Sequence, residues 1–260
     1  MSDLQIIEFQ SHGPADCDLS LWDPIPSEEV DVGEPVQHGH TYFDDSTGTL
    51  TAGVWTCTPY TAKSSPYAVN ELMIVLEGAI TIIDGQGDEQ TVGAGQGFVI
   101  PKGMPSTWKQ TEFVRKFYVI FDDPSGQKPS APEALGLHRL DPDVAMAPLG
   151  DLDPARYEGP VPTQHINTIF TDATGQMTAG LWDSTAMHVK PYVFMRNELM
   201  HLLEGSVTIT NGDGIARTFS AGDTFLVPKG MTYQWHSDGY VKKIFCIFEP
   251  HETLAKASGQ

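Results

Sequence analysis

The chain is written twice. Displaced by about 127 residues, segment 35–121 falls on segment 162–248 without a gap, and roughly 38 of the 87 aligned pairs are identical. Thr51–Trp55 (TAGVW) returns as Thr178–Trp182 (TAGLW), and Asn70–Met73 (NELM) returns as Asn197–Met200. Leu76–Gly78 (LEG) recurs at Leu203–Gly205, and Pro101–Met104 (PKGM) at Pro228–Met231. A period this long is a whole domain, not a solenoid unit of roughly 20–50 residues. Whatever fold one half adopts, the other half must adopt as well.

Each copy reads as strands. Val, Ile, Thr, Phe and Trp are frequent, and polar and apolar residues alternate over short runs. Asp84-Gly85-Gln86-Gly87 and Asn211-Gly212-Asp213-Gly214 separate apolar runs, as hairpin turns that need positive φ require. No segment of either copy carries helical periodicity. The expectation is all-β: two tandem barrels or sandwiches. The proposed organisation is an acidic N-terminal arm (1–34), a first domain (35–121), a Pro/Asp-rich linker (122–160), a second domain (161–250) and a frayed tail (251–260). The arm and the linker are expected to wrap across the barrels and cover exposed strand edges.

Charge narrows the function classes. With 34 acidic and 15 basic residues the formal net charge is −19, a field that repels nucleic-acid phosphates and anionic lipid. No apolar run approaches the ~20 residues of a membrane span, and MSDLQIIEFQ lacks the basic start of a secretion signal. Cys17, Cys57 and Cys246 form no CxxC pair and no disulfide framework, which favours a reducing, cytoplasmic compartment. No Gly-rich phosphate loop and no G-x-S-x-G elbow is present.

The repeated strings resemble the cupin superfamily of double-stranded β-helix (jelly-roll) barrels. Its general pattern is G-x5-H-x-H-x3,4-E-x6-G followed by G-x5-P-x-G-x2-H-x3-N. The end of the first motif occurs twice, as Glu71-x6-Gly78 and Glu198-x6-Gly205. The start of the second occurs twice, as Gly95-x5-Pro101-x-Gly103 and Gly222-x5-Pro228-x-Gly230. The strings NELMIVLEG, GAGQGFVIPKGM and VRKFYVIF look like the cupin-3, ureidoglycine-aminohydrolase-type members. The resemblance implies a bicupin with two tandem RmlC-like barrels, and its activity would be a manganese-dependent hydrolysis releasing ammonia.

Metal-binding cupins hold their ion with histidines and a glutamate pointing into the barrel. Carried over position by position, the first-motif histidines fall on Ser65 and Tyr67, and on Tyr192 and Phe194. The longer spacing gives Ser64 and Pro66, or Pro191 and Val193, and the second-motif histidine falls on Ser106 and Tyr233. Only Glu71 and Glu198 survive. One carboxylate is too few for a transition metal, so no metal or other cofactor is expected there. Among the other histidines, His201 and His236 have the wrong strand parity to face the cup, whereas His188 shares the parity of Glu198. His38 and His165 are equivalent positions of the two copies.

Given that fold, strand parity predicts what lines each cup. The second cup receives Lys190, Tyr192, Phe194, Glu198, Met200, Tyr233 and Trp235, with Arg196 as a further partner of Glu198. The first receives Lys63, Ser65, Tyr67, Glu71, Met73, Ser106 and Trp108. An unpaired Glu198 in such a cup would have a raised pKa and serve as general acid or base, with Tyr233 and Lys190 as catalytic partners. Alternatively both glutamates simply fix the barrel. Of the pairs Arg115-Lys116 and Lys242-Lys243, alternation sends one member inward, where it can hold a carboxylate.

The functional expectation is a binding protein for a small polar or anionic metabolite, with no nucleic-acid or membrane partner and with a homodimer plausible. The alternatives are a ureidoglycine-aminohydrolase-type or metal-free hydrolase or isomerase, and a non-catalytic assembly scaffold.

Overall fold

The computed structural model describes residues 4–15, 17–123 and 135–250. These form two compact units. One comprises residues 9–123, 135–141 and 172–175, the other residues 4–8, 142–171 and 176–250. Each is a jelly-roll barrel made of a large and a small antiparallel sheet, and the fold is all-β. The helical elements lying wholly within the described residues are the single 3-10 turns Ser27–Glu29 and Pro154–Arg156. The expected tail, 251–260, and part of the expected linker lie outside the described residues.

In the second unit the large sheet runs in the order Ile7–Phe9, Thr224–Val227, Asn197–Glu204, Val241–Phe248, Met177–Ser184, Gln164–Thr171, Ala147–Pro148. The small sheet runs Met187–His188, Thr232–Ser237, Ser206–Asn211, Ala216–Ser220, with Tyr192–Val193 also paired to Thr232–Ser237. The first unit repeats this plan, with Leu50–Cys57, Asn70–Glu77 and Val114–Phe121 at the centre of its large sheet. Both cores are built from the inner faces of the two sheets. In the second, Met200, Phe225 and Phe245 of the large sheet meet Val207, Ile209 and Trp235 of the small one.

The repeated sequence words have local physical causes. The central strands Asn70–Glu77 and Asn197–Glu204 are buried on both faces along their first six residues, so they read as near-continuous apolar runs. Thr232–Ser237 borders the cup on one side and solvent on the other, and its burial alternates. The Asn of NELM ties that strand to the PKGM turn. Asn70 Oδ1 accepts from the Lys102 amide (2.9 Å), and Asn197 Oδ1 from the Lys229 amide (2.8 Å). The Gly of LEG is sterically enforced. Gly78 and Gly205 sit at φ +76° and +79°, and a Cβ there would lie 2.1 Å from the carbonyl oxygen of Phe113 or Tyr240.

The segments read as arm and linker are structural. Ser20–Leu21 and Val30–Gly33 add strands to the two sheets of the first unit, and His138–Leu140 caps the edge strand Gly97–Ile100. Ala147–Pro148 caps Gln164–Thr171 in the second unit, and Tyr157 forms a bridge to Val189. Of the linker prolines, Pro148 lies in a short edge strand, where a missing amide donor costs no ladder bond, and Pro154 opens the 3-10 turn Pro154–Arg156.

Candidate functional site

The second barrel encloses a cavity of about 340 Å³. At its floor is Glu198, 1% exposed, on the strand Asn197–Glu204. Its Oε1 accepts from Lys243 Nζ at 2.7 Å and its Oε2 from Arg196 Nε at 3.1 Å. Lys243 also donates to Met200 Sδ (3.3 Å) and lies 4.8 Å and 5.3 Å from the ring centres of Trp182 and Trp235. Its ammonium is thus a buried cation held by one carboxylate, one thioether and two aromatic faces. Burial pushes the Glu198 carboxyl upward, but Lys243 and Arg196 outweigh it and hold the group below the ordinary glutamate value. Burial lowers the Lys243 ammonium, opposed by Glu198.

The first barrel repeats the pair. Lys116 Nζ donates to Glu71 Oε1 (2.6 Å) and to Met73 Sδ (3.2 Å), 4.9 Å from the centres of Trp55 and Trp108. The second carboxylate oxygen differs: the Tyr67 hydroxyl donates to Glu71 Oε2. In the second barrel Phe194 replaces that tyrosine and Arg196 replaces Val69, so a neutral donor becomes a cation. Trp108 Nε1 donates to Gln110 and Trp235 Nε1 to Ser237, fixing both indoles as walls.

Of the residues assigned to the second cup by parity, Tyr192, Phe194, Arg196, Glu198, Met200, Tyr233 and Trp235 line the cavity. Lys190 does not. It is exposed, and its Nζ donates to the Ala155 carbonyl at 2.9 Å; Lys63 likewise donates to the Glu28 carbonyl. Parity fails for them because strand pairing breaks between Met187–His188 and Tyr192–Val193, so counting back from Glu198 crosses an irregular turn. His188 fails for the same reason and lies on the outside. Ser65 is exposed on a short edge strand, while Ser106 is buried. An unpaired, proton-accepting Glu198 is also corrected, since two cations bind it. Tyr233 is driven well above the ordinary tyrosine value by burial and by Tyr192 and Glu198 beside it, so it is a neutral hydroxyl rather than a base.

Sequence reasoning missed Lys243, Arg156 and Tyr157. Lys243 was one of two candidates in a basic pair. Its identity follows from Lys243, Phe245 and Ile247 sharing the cavity-facing parity of their strand. Arg156 and Tyr157 lie in the segment read as linker and carry no periodic signal. There the Asp153 carboxylate caps the turn by accepting from the Ala155 amide, and Arg156 stacks over Tyr192, its Cζ 4.5 Å from the ring centre.

The manganese implied by the resemblance does not fit this donor set. Among the described residues, Glu198 is the one His, Cys, Asp or Glu at the cavity wall, and both of its oxygens are committed to cations. A metal bound to Glu198 would sit against the Lys243 ammonium.

Two jelly-roll barrels in one chain, each with the glutamate of its NELM word turned inward, define a bicupin. The chain belongs to the EutQ-like cupin domain family, whose model matches residues 45–118 and 171–245. No curated protein matches the chain. Among solved structures, it is similar to a protein of unknown function of the DUF861 family from Pseudomonas syringae pv. tomato str. DC3000. The TM-score is 0.74 at 24% identity, covering 93% of this chain and 98% of that one. It is also similar to a cupin 2 conserved barrel domain protein from Leptotrichia buccalis (TM-score 0.55, 9% identity, 89% and 98% covered). A third is the protein Ylba from E. coli (TM-score 0.52, 11% identity, 92% of each chain covered). At these identities the likeness is one of fold. Among the described residues, no helix is long and apolar enough to cross a membrane.

Proposed function

We propose that the second barrel binds a small anionic metabolite, with a carboxylate or similar oxyanion held by Arg196 and Arg156 and an apolar part held by the aromatic walls. The observation that carries this reading is a charge inversion. In a chain of net charge −19, three cations (Arg156, Arg196 and Lys243) face a cavity with one carboxylate, Glu198. Lys243 and Arg196 share the single negative charge of Glu198, so with Arg156 the cavity carries a net surplus of positive charge. Tyr192, Phe194, Tyr233 and Trp235 supply the mostly apolar lining usual for a small-ligand pocket. A hydrolase reading draws less support, because an ion-paired Glu198 below its ordinary pKa is a weak base and a manganese ion has no ligand set. A pure scaffold reading is weakened by a cavity that side chains leave open.

Calorimetric titration of the full chain with small mono- and dicarboxylates, against their neutral amides, tests the proposal. At least one acid is expected to bind, with its amide weaker by about tenfold or more. Arg156→Ala and Arg196→Val, the latter placing the first repeat's residue in the second barrel, are each expected to remove most of that preference. Equal affinity for acid and amide, or unchanged binding in both variants, would overturn it.

A further inference from the structure

On the outside of the second barrel lies a cluster that neither the pocket nor the fold uses. His188 and His236 are directly opposed partners on the antiparallel strands Met187–His188 and Thr232–Ser237. Their imidazoles stack with ring centres 3.7 Å apart and planes inclined by 22°. Asp238, just past the end of the second strand, turns its carboxylate onto both. Its Oδ1 is 3.1 Å from His236 Nε2 and 3.5 Å from His188 Nε2. The three ligand atoms lie within 4.8 Å of one another.

We infer that His188, His236 and Asp238 form a binding site for one transition-metal ion of the zinc, nickel or copper class. Two imidazoles and a carboxylate are the donors such borderline ions take. Bonds of about 2.0–2.1 Å in a tetrahedron place ligand atoms about 3.3 Å apart, and the two histidine–Asp238 separations bracket that value; an ion bound by both imidazoles would require the stacked rings to swing apart so that their Nε2 lone pairs converge. Three protein ligands leave the remaining position to water, and the exposure of the side chains (38%, 47% and 87%) gives an ion free entry. A hydrogen-bonded His–Asp pair on a surface needs one imidazole; here two converge on the same carboxylate oxygen.

The fold does not demand these residues. The equivalent positions of the first repeat are Thr61, Lys109 and Thr111, which offer no such set. One ion per chain is therefore expected, not one per barrel. The position is also pointed. The neighbours Val189 and Trp235, on the opposite face of the same strand pair, line the cavity, and their backbones are joined by a 2.8 Å hydrogen bond. The Glu158 amide donates to the His188 carbonyl, which ties in the chain that carries Arg156 and Tyr157. An ion here would clip together the strands that form one wall of the pocket.

The test is calorimetric titration of the chelator-stripped full chain with Zn²⁺ alone. We expect one equivalent per chain, with affinity lowered at least about tenfold in His188→Ala and in His236→Ala and unchanged in His165→Ala. Because binding to the folded state must raise its melting temperature, Zn²⁺ should shift Tm in the parent chain but not in His236→Ala. Imidazole ¹⁵N resonances provide a readout that needs no variant: Zn²⁺ should move Nε2 of His188 and His236 together. Uptake below one equivalent, unchanged affinity in both alanine variants, or ¹⁵N shifts confined to other histidines would each overturn the site.

Discussion

At the scale of single residues, the decisive feature is that a lysine ammonium occupies the heart of each barrel. A buried ion pair is weak evidence for stability, because desolvation offsets much of the Coulomb gain, but half a pair is costly. Glu198→Gln should therefore lose roughly 3–5 kcal/mol in urea denaturation by stranding Lys243. Glu198→Gln combined with Lys243→Met should recover most of it, and equal losses in the single and double variants would show that the pairing is not what matters. The acid limb of stability belongs to a different residue. His201 is buried with Nδ1 2.7 Å from Thr224 Oγ1, and burial lowers its pKa from 6.5 to about 4. Between those values the unfolded chain takes up a proton that the folded chain refuses. Folding stability thus falls as pH drops from 6.5 towards 4, by roughly 3 kcal/mol in all. Glu198 adds a loss only below the ordinary glutamate range, as pH falls through its lowered folded value. His201→Ile, the first repeat's residue at this place, should flatten the pH 4–6.5 limb in denaturation series; an unchanged slope would remove His201 as its source.

At the scale of elements, the repeated words mark where one segment constrains another. Asn197 joins its strand to the PKGM turn through the Lys229 amide, a part-buried contact. Asn197→Ala should cost about 1–3 kcal/mol in chemical denaturation by leaving that amide unsatisfied, and a loss below about 0.5 kcal/mol would mean that water replaces the side chain. This explains why so much was legible in the sequence. Turns that need glycine and strands buried on both faces leave local signatures, and their duplication made them unmistakable. Glu198 and Met200 followed from parity because they share the unbroken strand Asn197–Glu204, and Tyr233 and Trp235 because they lie in the regular run Thr232–Ser237; Tyr192 and Phe194 precede the Glu198 strand and keep the inward face only because Tyr192–Val193 pairs with that same run. Lys190 and His188 did not, because a break in pairing resets the count. Arg156 and Tyr157 were illegible for another reason: tertiary packing onto Val189 and Tyr192 holds them in place, and such packing leaves no periodic trace.

At the scale of the whole molecule, charge sets up a conflict between two distances. From afar an anionic ligand meets a chain of net charge −19; inside the cavity it meets surplus cations. Salt acts unequally on the two. Raising ionic strength from about 0.01 M to 0.15 M shortens the screening length from about 30 Å to about 8 Å, which removes the long-range repulsion. Contacts within the cavity are shorter than either length and partly buried, so they weaken far less. The proposed anion should therefore associate faster as salt rises, by a few-fold, while its dissociation rate stays nearly constant. Trp182 and Trp235 line the cavity and supply a fluorescence signal for stopped-flow mixing. Association that slows with salt would mean that the cations at the cavity, not the acidic surface, dominate the field on approach. The low guanidinium count of the site would then be drawing ligands in from solution as well as holding them.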